Sequence, residues 1–239
     1  MYVPFHADGI ISQFEGYEKL QDLDWDTYRK RYGNIQRLEL ILEAENDSAN
    51  RYKVSKQADV LMLFYVFSAE ELGELFGRLG YRLDRETIPR NVAYYDCRSS
   101  HGSTLSRVVH SWVMARSNRQ RPMRYFAQVL HSDVSDIQQG TTAEGIHLGA
   151  MAGTADLLQR TTTGIEVTGD VLRLNPRLPE YMERLDMRIR YRAQSLDLRI
   201  MRDSLTVSAR ETNAPPINLG FKNEVYQFSG GTRVFKLSQ

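Results

Sequence analysis

Met187-Arg188-Ile189-Arg190-Tyr191-Arg192-Ala193-Gln194-Ser195-Leu196-Asp197-Leu198-Arg199-Ile200 alternates apolar with charged or polar side chains. Successive side chains of a strand point to opposite faces. Met187, Ile189 and Tyr191, then Leu196, Leu198 and Ile200, therefore form the buried face of two neighbouring strands. Arg188, Arg190, Arg192, Asp197 and Arg199 are the outward partners. The simplest reading of that arginine run is a solvated sheet face, with a glycan- or RNA-binding face as the alternative.

The same period extends in both directions. Ile165 and Val167 alternate, and Val171, Leu172 and Leu174 do so less cleanly. Downstream come Leu205 and Val207, then Val225, Tyr226 and Phe228, then Val234 and Phe235, punctuated by Pro215-Pro216 and Ser229-Gly230-Gly231. Residues 163–239 are therefore expected to form a small antiparallel β-sandwich.

Before Gly164 the period is that of a helix. One helix is expected over Asn34 to Glu45, and a deeply buried one after Ser55 carries Val60, Leu61, Leu63 and Phe64. A third is capped by Ser68 with Glu71 and ended by Gly80. Others start at Asp84 (Pro89 in the first turns or at a kink), Ser103, Pro122 and Thr141, the last reaching about Gln159. Residues 1–162 thus read as stacked helical hairpins, and the first 25 residues as irregular.

Bulk properties narrow the function. The 239 residues are 41% hydrophobic and 26% charged with a net charge of +1, so no broad field draws nucleic acid or an anionic membrane. No apolar run approaches a membrane span, and no signal peptide is visible. Cys97 is the only cysteine, which excludes an internal disulfide and favours a reducing, cytoplasmic setting; a semi-buried thiol is expected. His6, His101, His110, His131 and His147 show neither HxH nor HxxxH spacing, so no metal site is expected.

Two signatures carry chemistry. His101-Gly102-Ser103-Thr104-Leu105-Ser106 and Gly140-Thr141-Thr142-Ala143-Glu144-Gly145-Ile146-His147 each stand where a loop enters a helix. Helix entrances present N–H groups and partial positive charge, a natural anion site, and phosphate is the first candidate. Ser103 is the expected N-cap, with Ser106 three residues on. Gly140, Gly145 and Gly149 remove side chains where something must come close. Thr141 and Glu144 also fit a plain capping box. His147 lies six residues beyond Thr141, about 9 Å along a helix at ~1.5 Å per residue. It lines a pocket at the helix end only if the helix begins later or the ligand lies alongside. Lys56 and Gln57 precede an apolar helix, where Gln57 suits sugar hydroxyls and Lys56 either snorkels or meets a polar ligand.

Lys56-Gln57-Ala58-Asp59-Val60, the His101–Ser106 signature, Gln13-Phe14-Glu15-Gly16-Tyr17 and the run from Thr142 to Thr154 resemble, in order, the C-terminal part of glycoside hydrolase family 65. That family holds inverting phosphorylases of maltose, trehalose, kojibiose and nigerose, with some hydrolases. The resemblance implies the second half of an (α/α)6 barrel followed by a small β domain. It implies that Lys56 and Gln57 hold the sugar, and that Ser103, Thr104, Ser106 and His147 line the site of inorganic phosphate, the co-substrate. No other cofactor is implied. Gln139 stands where many relatives carry glycine, and Gly102 replaces the Glu of maltose-specific members. The family's general acid, a Glu in a Gly-Pro-Asp-Glu-Tyr-like motif, matches nothing here. The chain is therefore expected to be the last third of an enzyme acting on an α-linked glucose disaccharide, inactive alone, its barrel completed by an N-terminal fragment or by self-association. A hydrolase of the family, with Glu144 as base on water, is one alternative. A non-catalytic carbohydrate-binding or accessory subunit is the other.

Overall fold

A computed structural model describes residues 2–117, 122–135, 143, 145–211 and 213–237. The chain divides into two compact units, residues 1–154 and 155–239. Among the described residues no helix is long and apolar enough to cross a membrane.

The first unit is built from α1 (Trp25–Tyr32), α2 (Leu38–Ala44), α3 (Asp59–Val66), α4 (Ala69–Arg78), α5 (Thr87–Asp96), α6 (Thr104–Ser117), α7 (Pro122–Leu130) and the start of α8 (Leu148–Thr163). Its core joins Val60, Leu61 and Phe64 of α3 to Leu72 and Phe76 of α4, Tyr95 of α5 and Val109 of α6. Ile10, Ile11 and Tyr17 of the irregular N-terminal segment complete it. Burial of each such side chain is worth about 1.5–3 kcal/mol before chain entropy is charged against it. The N-terminal segment is pinned by polar bonds as well. Asn91 Oδ1 accepts the Ile11 N–H at 2.8 Å, and the Tyr95 hydroxyl donates to the Ile11 carbonyl at 2.5 Å. Gln13 Oε1 accepts the Val60 N–H at 3.2 Å, so the Gln13–Tyr17 motif caps the apolar helix α3.

Local signals act as expected on α4. Ser68 and Glu71 form a reciprocal capping box. Gly80, at φ +86°, ends the helix with Gly80 N–H on the Gly77 carbonyl and Tyr81 N–H on the Phe76 carbonyl. Other boundaries need correction. The helix expected from Asn34 begins at Leu38, because the Asn34 side chain accepts the Gln36 N–H and holds a turn instead. The helix expected at Asp84 begins at Thr87, whose hydroxyl donates to Asp84, and Pro89 sits in its first turn. Helix α1 buries no side chain and so left no apolar stripe to read; the Asp24 cap on Thr27 N–H marks its start. Cys97 is exposed, not semi-buried, because it sits at the C-terminal cap of α5. Helix α8 begins at Leu148, seven residues after the expected Thr141.

The second unit holds β1 (Glu166–Thr168), β2 (Val171–Leu174), β3 (Arg184–Tyr191), β4 (Gln194–Met201), β5 (Ser204–Ala209), β6 (Ile217–Phe221), β7 (Glu224–Phe228) and β8 (Gly231–Lys236). They form two four-stranded sheets, β1-β2-β6-β7 and β3-β4-β5-β8. One core draws on both, with Leu172, Leu219 and Phe228 from the first and Leu196, Leu198, Ile200 and Val207 from the second. β4 alternates buried and exposed at every step. Two details differ from expectation. β2 and β6 pair in parallel, Val171 opposite Asn218 and Leu174 opposite Phe221, a crossover pairing that no local pattern reveals. Arg192 is a turn residue: Arg192 and Ala193, at φ +43° and +66°, make the two-residue loop between β3 and β4. The outward arginines meet carboxylates across the strands. Arg188 grips Asp197 at 2.6 and 3.2 Å, and Arg199 reaches Asp186 at 2.8 Å. Hydrogen bonds from Arg184 and Arg199 hold the Asp186 carboxyl below the usual range, and those from Arg188 do the same for Asp197.

Candidate functional site

The site grows from a short parallel bridge. Ser55 N–H donates to the Arg98 carbonyl at 3.0 Å, and Ser100 N–H donates to the Ser55 carbonyl at 2.9 Å. This lays Lys56 and Gln57, just ahead of α3, beside the segment entering α6. The stem of Lys56 crosses directly over Gly102. A Cβ there would stand 2.5 Å from the Gln36 carbonyl oxygen and 2.8 Å from Lys56 Cγ. Only glycine fits in this arrangement. The half-exposed Lys56 amine lies 3.6 Å from Glu39.

His101 holds a left-handed backbone, φ +56°, uncommon for a side-chain-bearing residue. Its Nδ1 is 3.1 Å from Ser106 Oγ, which is also 3.4 Å from His110 Nδ1. His110 Nδ1 lies 2.8 Å from the Ser106 carbonyl oxygen, which can only accept, so that nitrogen carries the proton. Ser106 is fully buried, and its hydroxyl bridges two imidazoles. Burial, with the neighbouring His110 and Arg107 adding to it, pushes His101 down to about 3. Burial also lowers His110. Both rings are neutral at pH 7. Arg107 donates to Gln128 at 3.1 Å and to the His101 carbonyl at 3.4 Å, bracing the loop. Ser103 immediately precedes α6 and Thr104 opens it, both half-buried.

The fold also gathers Asp96, His101 and His110, each with one potential ligand atom within 4.8 Å of the others. Sequence spacing gave no sign of this group. His110 Nε2 stands 3.9 Å from Asp96 Oδ1.

His147 occupies the N-cap of α8, its carbonyl accepting the N–H groups of Ala150 and Met151 at 2.9 and 3.1 Å. The later helix start thus resolves the difficulty of reach: His147 is at the entrance and not two turns in. Its N–H donates to Asp133 Oδ2 at 3.0 Å, and its ring Nδ1 is 2.5 Å from Asp133 Oδ1. Nothing in the sequence pointed to Asp133, fourteen residues away in another loop.

The two helix entrances are neighbours. Gly149 faces Leu105, with 4.0 Å from an added Cβ to Leu105 Cδ1. One turn on, a Cβ at Gly153 would lie 2.7 and 2.8 Å from the two Val108 methyls. Gly149 and Gly153 share one face of α8, and it is the missing side chain of Gly153 that lets α8 meet α6 at Val108. The Gly149-x-x-x-Gly153 spacing was the available signal. Gly145 has φ +121° and open space around it. Gln139, Gly140, Thr141, Thr142 and Glu144 lie outside the described residues, and with them the expected capping box and the hydrolase base.

Residues 1–156 match the family model of the glycosyl hydrolase family 65 central catalytic domain, and residues 165–228 match that of its C-terminal domain. A glycosyl hydrolase of Mycobacterium tuberculosis, described as uncharacterized, is 55% identical over 231 residues, covering 97% of this chain and 17% of its own length. Trehalose 6-phosphate phosphorylase of Lactococcus lactis is 31% identical over 210 residues, covering 87% of this chain and 27% of its own. Kojibiose phosphorylase of Halothermothrix orenii is 28% identical, covering 87% and 25%. A solved structure assigned as a kojibiose phosphorylase from the human microbiome superposes with a TM-score of 0.76 at 18% identity, covering 99% of this chain and 30% of that one. The chain spans about a quarter or less of the length of these curated relatives.

Proposed function

The chain belongs to glycoside hydrolase family 65, and on that premise we propose that it supplies the phosphate site and part of the glucose site of an inverting phosphorylase. The observation that carries this reading is that the α6 and α8 entrances are neighbours, in contact at Leu105–Gly149 and Val108–Gly153, with Ser103 and Thr104 on one and His147 on the other. Neighbouring helix ends that carry hydroxyls and an imidazole suit an oxyanion. Ser106 contributes from behind, through His101. Lys56 and Gln57, beside the same loop, hold the glucosyl unit. The substrate class is an α-linked glucosyl disaccharide, as the trehalose 6-phosphate and kojibiose phosphorylases among its relatives suggest.

In the proposed reaction a phosphate oxygen attacks the anomeric carbon as the bond to the leaving oxygen breaks. A general acid from the rest of the (α/α)6 barrel gives that oxygen its proton, and β-glucose 1-phosphate results. Phosphate takes the place of the base-activated water of an inverting hydrolase. Ile146 and Leu148, which flank His147, are 70% and 76% exposed. Apolar side chains of that size beside a polar site suit cover by the first half of the barrel. The test is to assemble the chain with that half and assay an α-glucosyl disaccharide with and without phosphate. Phosphate-dependent release of β-glucose 1-phosphate is expected. Free glucose formed at the same rate without phosphate would replace this reading with hydrolysis, and sugar binding without turnover would replace it with an accessory role.

A further inference from the structure

We infer that Asp133 is a positioning residue for the anion site, holding the His147 ring so that Nε2 is the nitrogen presented to phosphate; this rests on the phosphorylase reading above.

The argument begins with the turn that carries Asp133. After α7, Ser132 N–H and its hydroxyl both bond the Val129 carbonyl, at 3.1 and 2.7 Å. Val134 and Ser135 N–H both bond the His131 carbonyl, at 3.1 and 2.8 Å. Asp133 is therefore mounted on a closed turn. Its side chain is 13% exposed, against 25% for His147, so the carboxylate sits behind the ring relative to solvent.

Both carboxylate oxygens are committed to one residue. Oδ2 accepts the His147 main-chain N–H, and Oδ1 lies 2.5 Å from Nδ1. A carboxylate accepts only, so Nδ1 carries the hydrogen. A grip on the main chain and the ring at once removes the freedom of both side-chain torsions. Nε2, on the edge of the ring away from Nδ1, has no partner among the described residues and is the nitrogen left to a ligand. In the neutral ring it accepts the proton of monohydrogen phosphate, and in the protonated ring it donates to a phosphate oxygen. This is the arrangement by which a carboxylate behind an imidazole sets both tautomer and aim.

Charge alone opposes this layout. A carboxylate close to an anion pocket repels the anion. Simple electrostatics therefore predicts that removing Asp133 tightens phosphate binding, whereas a positioning role predicts that it weakens binding.

The experiment uses the chain labelled with 15N-histidine and assembled with the first half of the barrel, His147 being assigned by loss of its signals in H147Q. Long-range 1H–15N spectra at pH 8 read the tautomer, and inorganic phosphate is titrated by NMR. His147 is expected as the Nδ1–H form. In D133A the ring is expected to shift toward the Nε2–H form, with the phosphate dissociation constant rising about tenfold and D133E restoring part of both. An Nε2–H ring in the unaltered chain overturns the inference, as does a D133A chain that binds phosphate more tightly. The tautomer of the unaltered chain decides even if D133A does not fold. If phosphate fails to bind while the ring is Nδ1–H and moves in D133A, the phosphorylase reading falls and the hold of Asp133 on His147 stands.

Discussion

Gly153→Ala sets two known effects against each other at the contact that joins the site. Alanine in a helix interior is favoured over glycine by about 1 kcal/mol. Against this, the new methyl would lie 2.7 and 2.8 Å from the Val108 methyls, where carbon atoms rest at about 3.5–4.0 Å. Val108 is fully buried, and a β-branched side chain in a helix has essentially one rotamer, so it cannot swing aside. The helices must separate by roughly 0.7–1 Å, and overpacking of this kind costs about 1–3 kcal/mol. The clash wins: we expect a net loss of about 1 kcal/mol, or about 2–4 °C in the thermal midpoint of the helical unit. The shift also draws the His147 entrance away from Ser103 and Thr104, so phosphate affinity should drop about tenfold, more than the stability change suggests. Urea titration and phosphate titration of the chain read both quantities. Val108→Ala in the same chain returns the space, so the double variant should be more stable than the sum of its singles by about 1 kcal/mol. A Gly153→Ala chain that gains the full helix-propensity benefit and keeps its phosphate affinity would show that α6 and α8 do not meet as described.

Gly73→Ala is the matching control: Gly73 sits in α4 with nothing within 4 Å of an added Cβ, so stability should rise by about 0.5–1 kcal/mol in the same urea assay. Ser68→Ala removes the cap from Glu71 N–H and should cost about 1 kcal/mol; a change below 0.3 kcal/mol would remove the capping box from the account of α4. Burial depresses His101 to about 3 and lowers His110, so the unfolded chain takes up protons near the ordinary histidine value that the folded chain refuses. Their stabilising contribution is complete above about pH 6.5 and is lost as pH falls toward 3, with a slope of up to about 1.4 kcal/mol per pH unit per histidine. Urea midpoints at pH 7.5 and 5.5 should differ in that direction, and equal midpoints would show that these rings are not buried neutral.

Much of this molecule was legible locally. The strand alternation of Met187–Tyr191 and Leu196–Ile200, the Ser68–Glu71 box and the Gly80 stop are each written in a few adjacent residues, and each takes its expected form. Helix starts that rest on longer reach were misjudged. Thr141 carries a good cap signature, yet α8 opens at Leu148, where His147 and Asp133 supply the cap and its brace. The parallel β2–β6 pair joins residues more than forty positions apart and has no local sign.

Within a few residues, period and capping chemistry are enough to determine which segments are helix and which are strand, and where glycine, serine and histidine gather at loop ends. Those choices depend on backbone torsions and neighbouring side chains, which the sequence states directly. The approach of α8 to α6, the crossing of Lys56 over Gly102 and the clasp of Asp133 on His147 were decided only by the tertiary structure. They depend on how distant surfaces pack and on which buried polar atoms must find partners, quantities that exist only once the chain has closed on itself.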